Sequence, residues 1–182
     1  MLISDLTESD RLVLDTHIWV WASGESGGPG QIPSAALVAI EGAAERRNLF
    51  VTAASVWEIA LKAQRGRALV SGDLRAWVQD QRQYPGVRVL SIDSRLSIDS
   101  TLLPPWMRRS DKREHRDPAD RFIVAAARRL NALVLTRDEE IIHYASQGHV
   151  AAYTRADWSS TLVLLIRRGR IPHTTQHDSE RA

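Results

Sequence analysis

Five carboxylates in this sequence stand where they could act together on one ion. Asp15 comes directly after a short apolar run, and Asp138 follows within three residues of another. Asp117 and Asp120 open a segment with helical apolar spacing, and Glu58 lies inside a second such segment. Carboxylates placed close together repel one another, and a divalent cation relieves that repulsion. Because these ligands are oxygens, the chemistry indicated is binding of Mg²⁺ or Mn²⁺ rather than of zinc.

Each of these acids also has an ordinary structural explanation. Asp117 followed by Pro118 is a typical helix start, with Asp120 in the first turn where the helix dipole favours a negative charge. Glu58 lies four residues before Lys62, which is the spacing of a surface ion pair on a helix. The two acids that follow apolar runs could cap the next helix. Their placement in the fold must therefore decide between the two interpretations.

The pattern of apolar segments predicts an α/β fold. Short unbroken apolar runs alternate with helical segments, which is typical of a parallel sheet covered by helices on both faces. We expect a central parallel sheet of four to five short strands, formed by residues 12–14, 49–52, 87–92, 132–136 and 149–153. Ligands of such sheets bind at the carboxyl ends of the strands, where Asp15 and Asp138 would lie. The fold thus favours the metal-site interpretation.

Length and composition restrict the class of protein. A chain of 182 residues with 43% apolar residues can bury one core, so we expect a single domain. It has no cysteine, which excludes disulfides and thiolate metal sites and fits a cytoplasmic protein. No apolar stretch is long enough to cross a membrane. Of the 24 basic residues all but Lys62 and Lys112 are arginine, whose planar fork suits phosphate.

Three segments together resemble a known family. "LVLDTHIWVWA", "TAASVWEIALKAQRG" and "HRDPADRFIVAAARRLNALVLTRDEE" follow one another in the order and spacing of PIN-domain ribonucleases, in particular the VapC toxins of VapBC toxin-antitoxin pairs. The resemblance runs from about Arg11 to about Tyr153. It implies a metal-dependent endoribonuclease that uses Mg²⁺, with Mn²⁺ as a substitute. It also implies inhibition by a VapB-type antitoxin lying over the acidic groove, and a homodimer formed through helices of the first half.

The resemblance assigns roles to residues by position. The catalytic acids that it implies are Asp15, Glu58, Asp120 and Asp138. The implied metal ligands are Asp15, Asp120 and Asp138, and Asp117 matches an extra aspartate of some members, so either Asp117 or Asp120 could be the closer ligand. One or two ions would activate water for in-line attack on the RNA phosphodiester, with Glu58 or Asp138 positioning that water.

Hydroxyl and basic residues complete the expected site. Thr136 matches a small hydroxyl residue that could orient a water or an acid, and Thr16 stands beside the first acid as a second supporting hydroxyl. Substrate phosphates would be held by basic residues of the loop before the late helix, although its acidic residues equally favour a solvated surface loop. These candidates are Arg108, Arg109, Lys112, Arg113 and Arg116.

Tryptophans on predicted helices favour packing over base stacking. Trp19, Trp57 and Trp77 stand beside apolar neighbours, which indicates a place in the core or in an interface. An apolar surface around Trp19, Trp21 and Trp57 would suit either an antitoxin or a second copy of the chain.

Residues 1–10 are expected to form an N-terminal arm, residues 11–155 the nuclease domain, and residues 156–182 a partly disordered extension. Two rival functions stay open. One is a non-catalytic interaction protein with a PIN fold. The other is a phosphatase of the haloacid dehalogenase type, which would need a second aspartate where His17 stands.

Overall fold

Five short strands form a parallel sheet in the described part of the chain. The computed structural model describes residues 10–25, 32–83 and 86–153, so residues 1–9 of the predicted arm and the whole predicted C-terminal extension lie outside it. The sheet order is β3-β2-β1-β4-β5, and all four neighbouring pairs are parallel. The strands are β1 Leu12–Leu14, β2 Leu49–Thr52, β3 Arg88–Leu90, β4 Leu133–Leu135 and β5 Ala151–Tyr153. The predicted parallel sheet is confirmed.

Seven helices of the described residues connect and cover these strands. They are α1 Thr16–Ala22, α2 Ser34–Glu45, α3 Ala53–Gln64, α4 Leu74–Gln83, α5 Ser94–Thr101, α6 Pro118–Leu130 and α7 Glu139–Ser146. None of them is long and apolar enough to cross a bilayer.

Alternate residues of the strands feed two separate cores. Leu12 and Leu14 of β1 pack into one cluster, together with apolar residues of α1, α2, α3 and α4. Val13, between them, packs into the other cluster, with residues of α5, α6 and α7. Because successive side chains of a strand point to opposite faces, a strand covered on both sides must be apolar throughout. This explains the unbroken apolar runs of the sequence and confirms helices on both faces.

Helix α6 shows why its sequence begins and ends where it does. Asp117 is its N-cap and Pro118 its first residue, and Asn131 ends it in the left-handed conformation with φ 49°. Ile123 and Val124 are completely buried on the face that contacts β1, β2 and β4. The first turn of α6, which carries Asp120, is thereby fixed relative to the ends of the central strands.

The tryptophans divide between core and surface. Trp19 is completely buried and its ring lies 4.7 Å from that of Trp77, so Trp19 packs in the core. Trp57 is 51% exposed. Of the two places that the sequence left open, core and interface, Trp19 is in the core, because α1 turns it toward the sheet while α3 turns Trp57 away from the sheet.

Candidate active site

Asp15 is a buried carboxylate that does not cap the helix at whose start it lies. It follows β1, the central strand of the sheet, and occupies the N-cap position of α1, yet its side chain makes no capping hydrogen bond. Only 4% of the residue is exposed. Burial raises the pKa of its carboxyl, and repulsion from Asp138 raises it further, whereas His17 and the Thr136 hydrogen bond oppose the rise. A buried acid without a cap to form needs another partner.

Two side chains hold the Asp15 carboxylate, Thr136 from the end of β4 and His17 from α1. The Thr136 hydroxyl donates to Asp15 Oδ2 at 2.5 Å, across 121 positions of sequence, and accepts from the backbone N–H of Asp138 at 2.9 Å. His17 Nε2 accepts from the backbone N–H of Arg137, so its ring proton is on Nδ1, which lies 3.3 Å from the same Asp15 oxygen. The end of β4 is thus connected to the end of β1 through the acid itself.

Asp120, in the first turn of α6, is the second acid with a raised pKa, and its side chain is 17% exposed. Its Oδ2 lies 2.8 Å from Nε2 of His115. Burial is the main reason that its pKa is raised to about 7, and repulsion from Asp15, Asp117 and Asp138 adds to the rise, while the His115 hydrogen bond opposes it. Asp15, Asp117 and Asp138 are therefore near enough to Asp120 to affect its pKa.

Asp117 and Asp138 cap helices and do so with one oxygen each. Asp117 Oδ1 accepts from the backbone N–H groups of Ala119 and Asp120, and Asp138 Oδ1 accepts from those of Glu140 and Ile141. The structural interpretation of both acids is therefore confirmed. Because neither cap uses Oδ2, capping and a second role do not exclude each other.

Glu58 forms the ion pair expected from its spacing. Its Oε1 lies 2.6 Å from Nζ of Lys62, one turn later on α3. The structure describes no arrangement in which Glu58 joins two other acids or histidines around one point. Its predicted role in catalysis stays a prediction.

The donor set fits a hard divalent cation by its chemistry. In the described ranges no three Asp, Glu or His side chains are close enough together to ligate one ion as they stand. Mg²⁺, however, usually takes only one or two carboxylates and keeps several waters. Asp15 is buried and Asp120 is partly buried, both have raised pKa values, and Asp138 repels both of them. A cation between them would favour their charged forms and offset that repulsion.

Comparison with known proteins identifies the family. The PIN domain family model matches residues 12–147, which is most of the chain. The chain belongs to the PIN domain family. A solved structure described as "Structure of FitAB bound to IR36 DNA fragment" is similar at 19% identity and a TM-score of 0.46, covering 82% of this chain and 97% of that one. No curated protein matches. PIN domains are generally nucleases that use divalent metals.

A basic hairpin borders the acids of this PIN domain. Residues 107–114 form it, closed by an antiparallel bridge between Met107 and Glu114 and by a hydrogen bond from the Arg108 N–H to the Arg113 carbonyl at 2.8 Å. With Asp117 and Glu140 it lines a cleft of about 770 Å³. The expected basic loop is therefore an ordered feature beside the acids.

The arginines of this hairpin, and Arg116 just after it, are partly neutralised. Arg108 forms an ion pair with Asp111, which also lies 4.0 Å from Arg113, and Arg116 lies 3.0 Å from Glu114. The side chains of Arg113 and Arg116 are each 82% exposed. Exposed ion pairs of this kind are worth little, so a phosphate could replace the acid as partner at small cost.

Two histidines that contact the acids of this PIN domain were not expected from the sequence. His17 stands two residues after Asp15, and His115 stands five before Asp120. Neither histidine has a second histidine at the spacing of a metal-ligand pair. Nearness to an expected metal-binding acid was the available signal, because such acids commonly have a hydrogen-bonding partner behind them.

One substitution separates the two roles of Asp117. Asp117→Asn retains a capping oxygen, so we expect the free energy of unfolding to change by only a few tenths of a kcal/mol, whereas Asp117→Ala should lower it by about 1 kcal/mol. Urea denaturation of the two variants measures this difference. If Asp117 also faces the cation, Asn should reduce Mn²⁺ affinity without reducing stability. Equal Mn²⁺ affinity in Asp117→Asn and wild type would leave capping as its whole function.

Proposed function

We propose that this PIN domain is a Mg²⁺-dependent endoribonuclease of the VapC type, a toxin that hydrolyses RNA phosphodiester bonds in the cytoplasm and is inhibited by a cognate antitoxin. The observation that carries the proposal is Asp15, a buried carboxylate at the end of the central strand that caps nothing and is repelled by Asp138. Burying such a carboxylate costs free energy, and carboxylates in such surroundings are common at functional sites. The three sequence segments that resemble VapC toxins support the choice of RNA.

Asp15, Asp120 and Asp138 would hold the cation. Asp117 would be a further ligand through Oδ2, the oxygen that accepts no capping hydrogen bond. When bound, Mg²⁺ would supply an activated water near neutral pH and would stabilise negative charge on the phosphate. No serine or cysteine nucleophile is then required.

The remaining residues position these groups. Thr136 fixes one oxygen of Asp15 and holds the backbone of Asp138, so the two acids keep a defined relation. Thr16 contributes its backbone N–H to Asp15, while its own hydroxyl is buried without a partner among the described residues. Glu58 would require release from Lys62 before it could orient a water.

The basic hairpin would hold the RNA backbone. Arg108 and Arg113 of the hairpin and the adjacent Arg116 line one cleft with Asp117, so an RNA strand in this cleft would contact both the arginines and an acid. Each phosphate neutralised by a basic side chain adds affinity that salt removes. The candidates are Arg108, Arg109, Lys112, Arg113 and Arg116.

The salt dependence of RNA binding tests whether these residues contact phosphates. Replacing both Arg113 and Arg116 with Gln should weaken RNA binding and reduce the slope of log Kd against log salt by about 1.4, at about 0.7 for each contact to a single strand. Fluorescence anisotropy with labelled RNA measures the slope, in Ca²⁺ to prevent cleavage. The matched control replaces Arg75 and Arg82, which are exposed on α4 and belong to the other face. If both double variants keep the wild-type slope, the hairpin does not contact phosphate.

The proposed activity is tested on three substrates in parallel. Purified protein with Mg²⁺ or Mn²⁺ should cleave RNA internally, and should leave single-stranded DNA and small phosphate esters intact. Cleavage of the ester alone would favour a phosphatase, and no reaction with any substrate would favour a non-catalytic PIN-fold protein. Mapping the RNA termini should show 3′-OH and 5′-phosphate ends, as in-line attack by water predicts.

The toxin role requires a test in cells. Expression in a bacterium should arrest growth, and co-expression of a neighbouring antitoxin gene should restore it. The exposed Trp57, adjacent to Glu58 on α3, offers an apolar contact for an antitoxin or for a second copy in a homodimer. Growth at the normal rate with abundant folded protein would contradict the toxin assignment without affecting the nuclease assignment.

A further inference from the structure

His115 is a buried histidine between the basic hairpin and helix α6. Only 6% of it is exposed, and its Nε2 lies 2.8 Å from Asp120 Oδ2. Its other ring nitrogen, Nδ1, is buried and has no hydrogen-bond partner in the described structure. The Asp120 carboxylate is therefore the one polar side chain that the described structure places on this ring.

Aromatic stacking and a backbone hydrogen bond hold His115 in place. It stacks on Trp106 with 4.3 Å between ring centroids, and Trp106 stacks in turn on Tyr144 at 4.2 Å. Tyr144 donates its hydroxyl proton to the carbonyl of Pro104 at 2.8 Å. The backbone N–H of His115 donates to the carbonyl of Trp106 at 2.7 Å. These contacts restrict the plane of the His115 ring independently of Asp120.

Packing alone does not account for a histidine here. A phenylalanine would stack on Trp106 and would avoid burying an unpartnered nitrogen, which costs free energy. The polar ring is favourable only through its bond to Asp120. That bond occupies one carboxylate oxygen, Oδ2, and leaves Oδ1 available to a cation.

We propose that His115 is a positioning residue for Asp120: its rigidly stacked ring donates from Nε2 to Oδ2 and directs Oδ1 toward the cation. The inference rests on the proposed metal-dependent function. Partners behind metal-binding carboxylates orient them and raise metal affinity. His115 also joins the hairpin to α6, so the phosphate-binding hairpin and the acid are fixed relative to each other.

Two substitutions separate hydrogen bonding from stacking. His115→Phe keeps an aromatic ring on Trp106 and removes the donor, whereas His115→Gln loses the ring and retains an N–H near the position of Nε2. Mn²⁺ binding to the full chain, measured by electron paramagnetic resonance, should weaken about 10- to 100-fold in His115→Phe and much less in His115→Gln. His143→Ala is the control, since His143 pairs with Gln147 on α7. It should bind Mn²⁺ as wild type does.

The outcomes distinguish this inference from the proposed function. If His115→Phe binds Mn²⁺ as tightly as wild type, or if Phe and Gln weaken binding equally, the positioning role is wrong while the metal site stands. If wild type binds no Mn²⁺, or Asp15→Asn binds it equally well, the metal site fails and this inference fails with it.

The proposal can also be tested in the metal-free protein without changing His115, so the result does not depend on how the His115 variants fold. A ¹H–¹⁵N spectrum of the imidazole groups should show a proton on Nε2 of His115. Its resonance should move when Asp120 is changed to Asn. A proton found on Nδ1 alone would overturn the proposal.

Discussion

Asp15→Asn is expected to lower the rate of RNA cleavage by about 10³-fold or more. Metal ions contribute several kcal/mol to such reactions, and each 1.36 kcal/mol corresponds to a factor of ten. Asn is nearly isosteric with Asp and can still accept from Thr136, so the change removes a charge without opening a cavity. The cleavage rate under single-turnover conditions with saturating Mg²⁺ measures the loss.

Stability and a matched acid control this experiment. Because the pKa of Asp15 is raised by burial, its charged form is disfavoured in the folded state, and Asp15→Asn should not destabilise the metal-free protein at pH 7.5. Asp80→Asn removes an exposed charge from α4 and should cleave RNA at the wild-type rate. A fully active Asp15→Asn, or an inactive one that has lost its fold, would remove the support that Asp15 gives to the proposal.

The metal-free protein is expected to lose stability as pH rises from 5 to 8. The pKa of Asp120 is about 7 in the folded protein and 3.8 when unperturbed, so the folded state binds more protons over this interval. The pKa of His115 is raised too: burial alone would lower it, but the bond to Asp120 and the nearby acids outweigh burial. Both groups therefore stabilise the fold at low pH, and this stabilisation disappears as pH rises through their folded pKa values.

We expect the free energy of unfolding to fall by on the order of 2–4 kcal/mol, from a shift of about three pKa units at 1.36 kcal/mol each. Urea denaturation in the presence of a chelator, at pH 5, 6, 7 and 8, measures it. In Asp120→Asn the free energy of unfolding should depend much less on pH. In the wild-type protein at pH 8, adding Mn²⁺ should restore the lost stability. A wild-type protein equally stable at pH 5 and pH 8 would show that Asp120 is solvated and ionised throughout.

The order and type of the elements could be predicted because they depend on short-range patterns. The unbroken apolar runs reflect strands covered on both faces, and alternation of strands with helices predicts a parallel sheet. The start of helix α6 at Pro118 was predicted because its N-cap, its proline and its apolar spacing are all local signals. The nearness of Asp15 and Asp138 to one edge of the sheet follows from the same argument.

The ion pair of Glu58 shows what a spacing can and cannot indicate. The four-residue interval to Lys62 predicted the observed contact at 2.6 Å. The resemblance gave the same glutamate a catalytic role. Both interpretations fit one sequence, because a spacing fixes which residues share a helix face but not which distant group that face meets.

Sequence alone determined the sheet, the helix starts and the set of acids, since each depends on residues close together in the chain. Tertiary structure decided what each acid does: Asp15 bonds to Thr136 rather than capping α1, and Asp120 bonds to His115. It also decided that Trp19 is in the core while Trp57 is exposed. These outcomes depend on how helices are rotated against the sheet and on contacts across up to 121 positions, which no local pattern encodes.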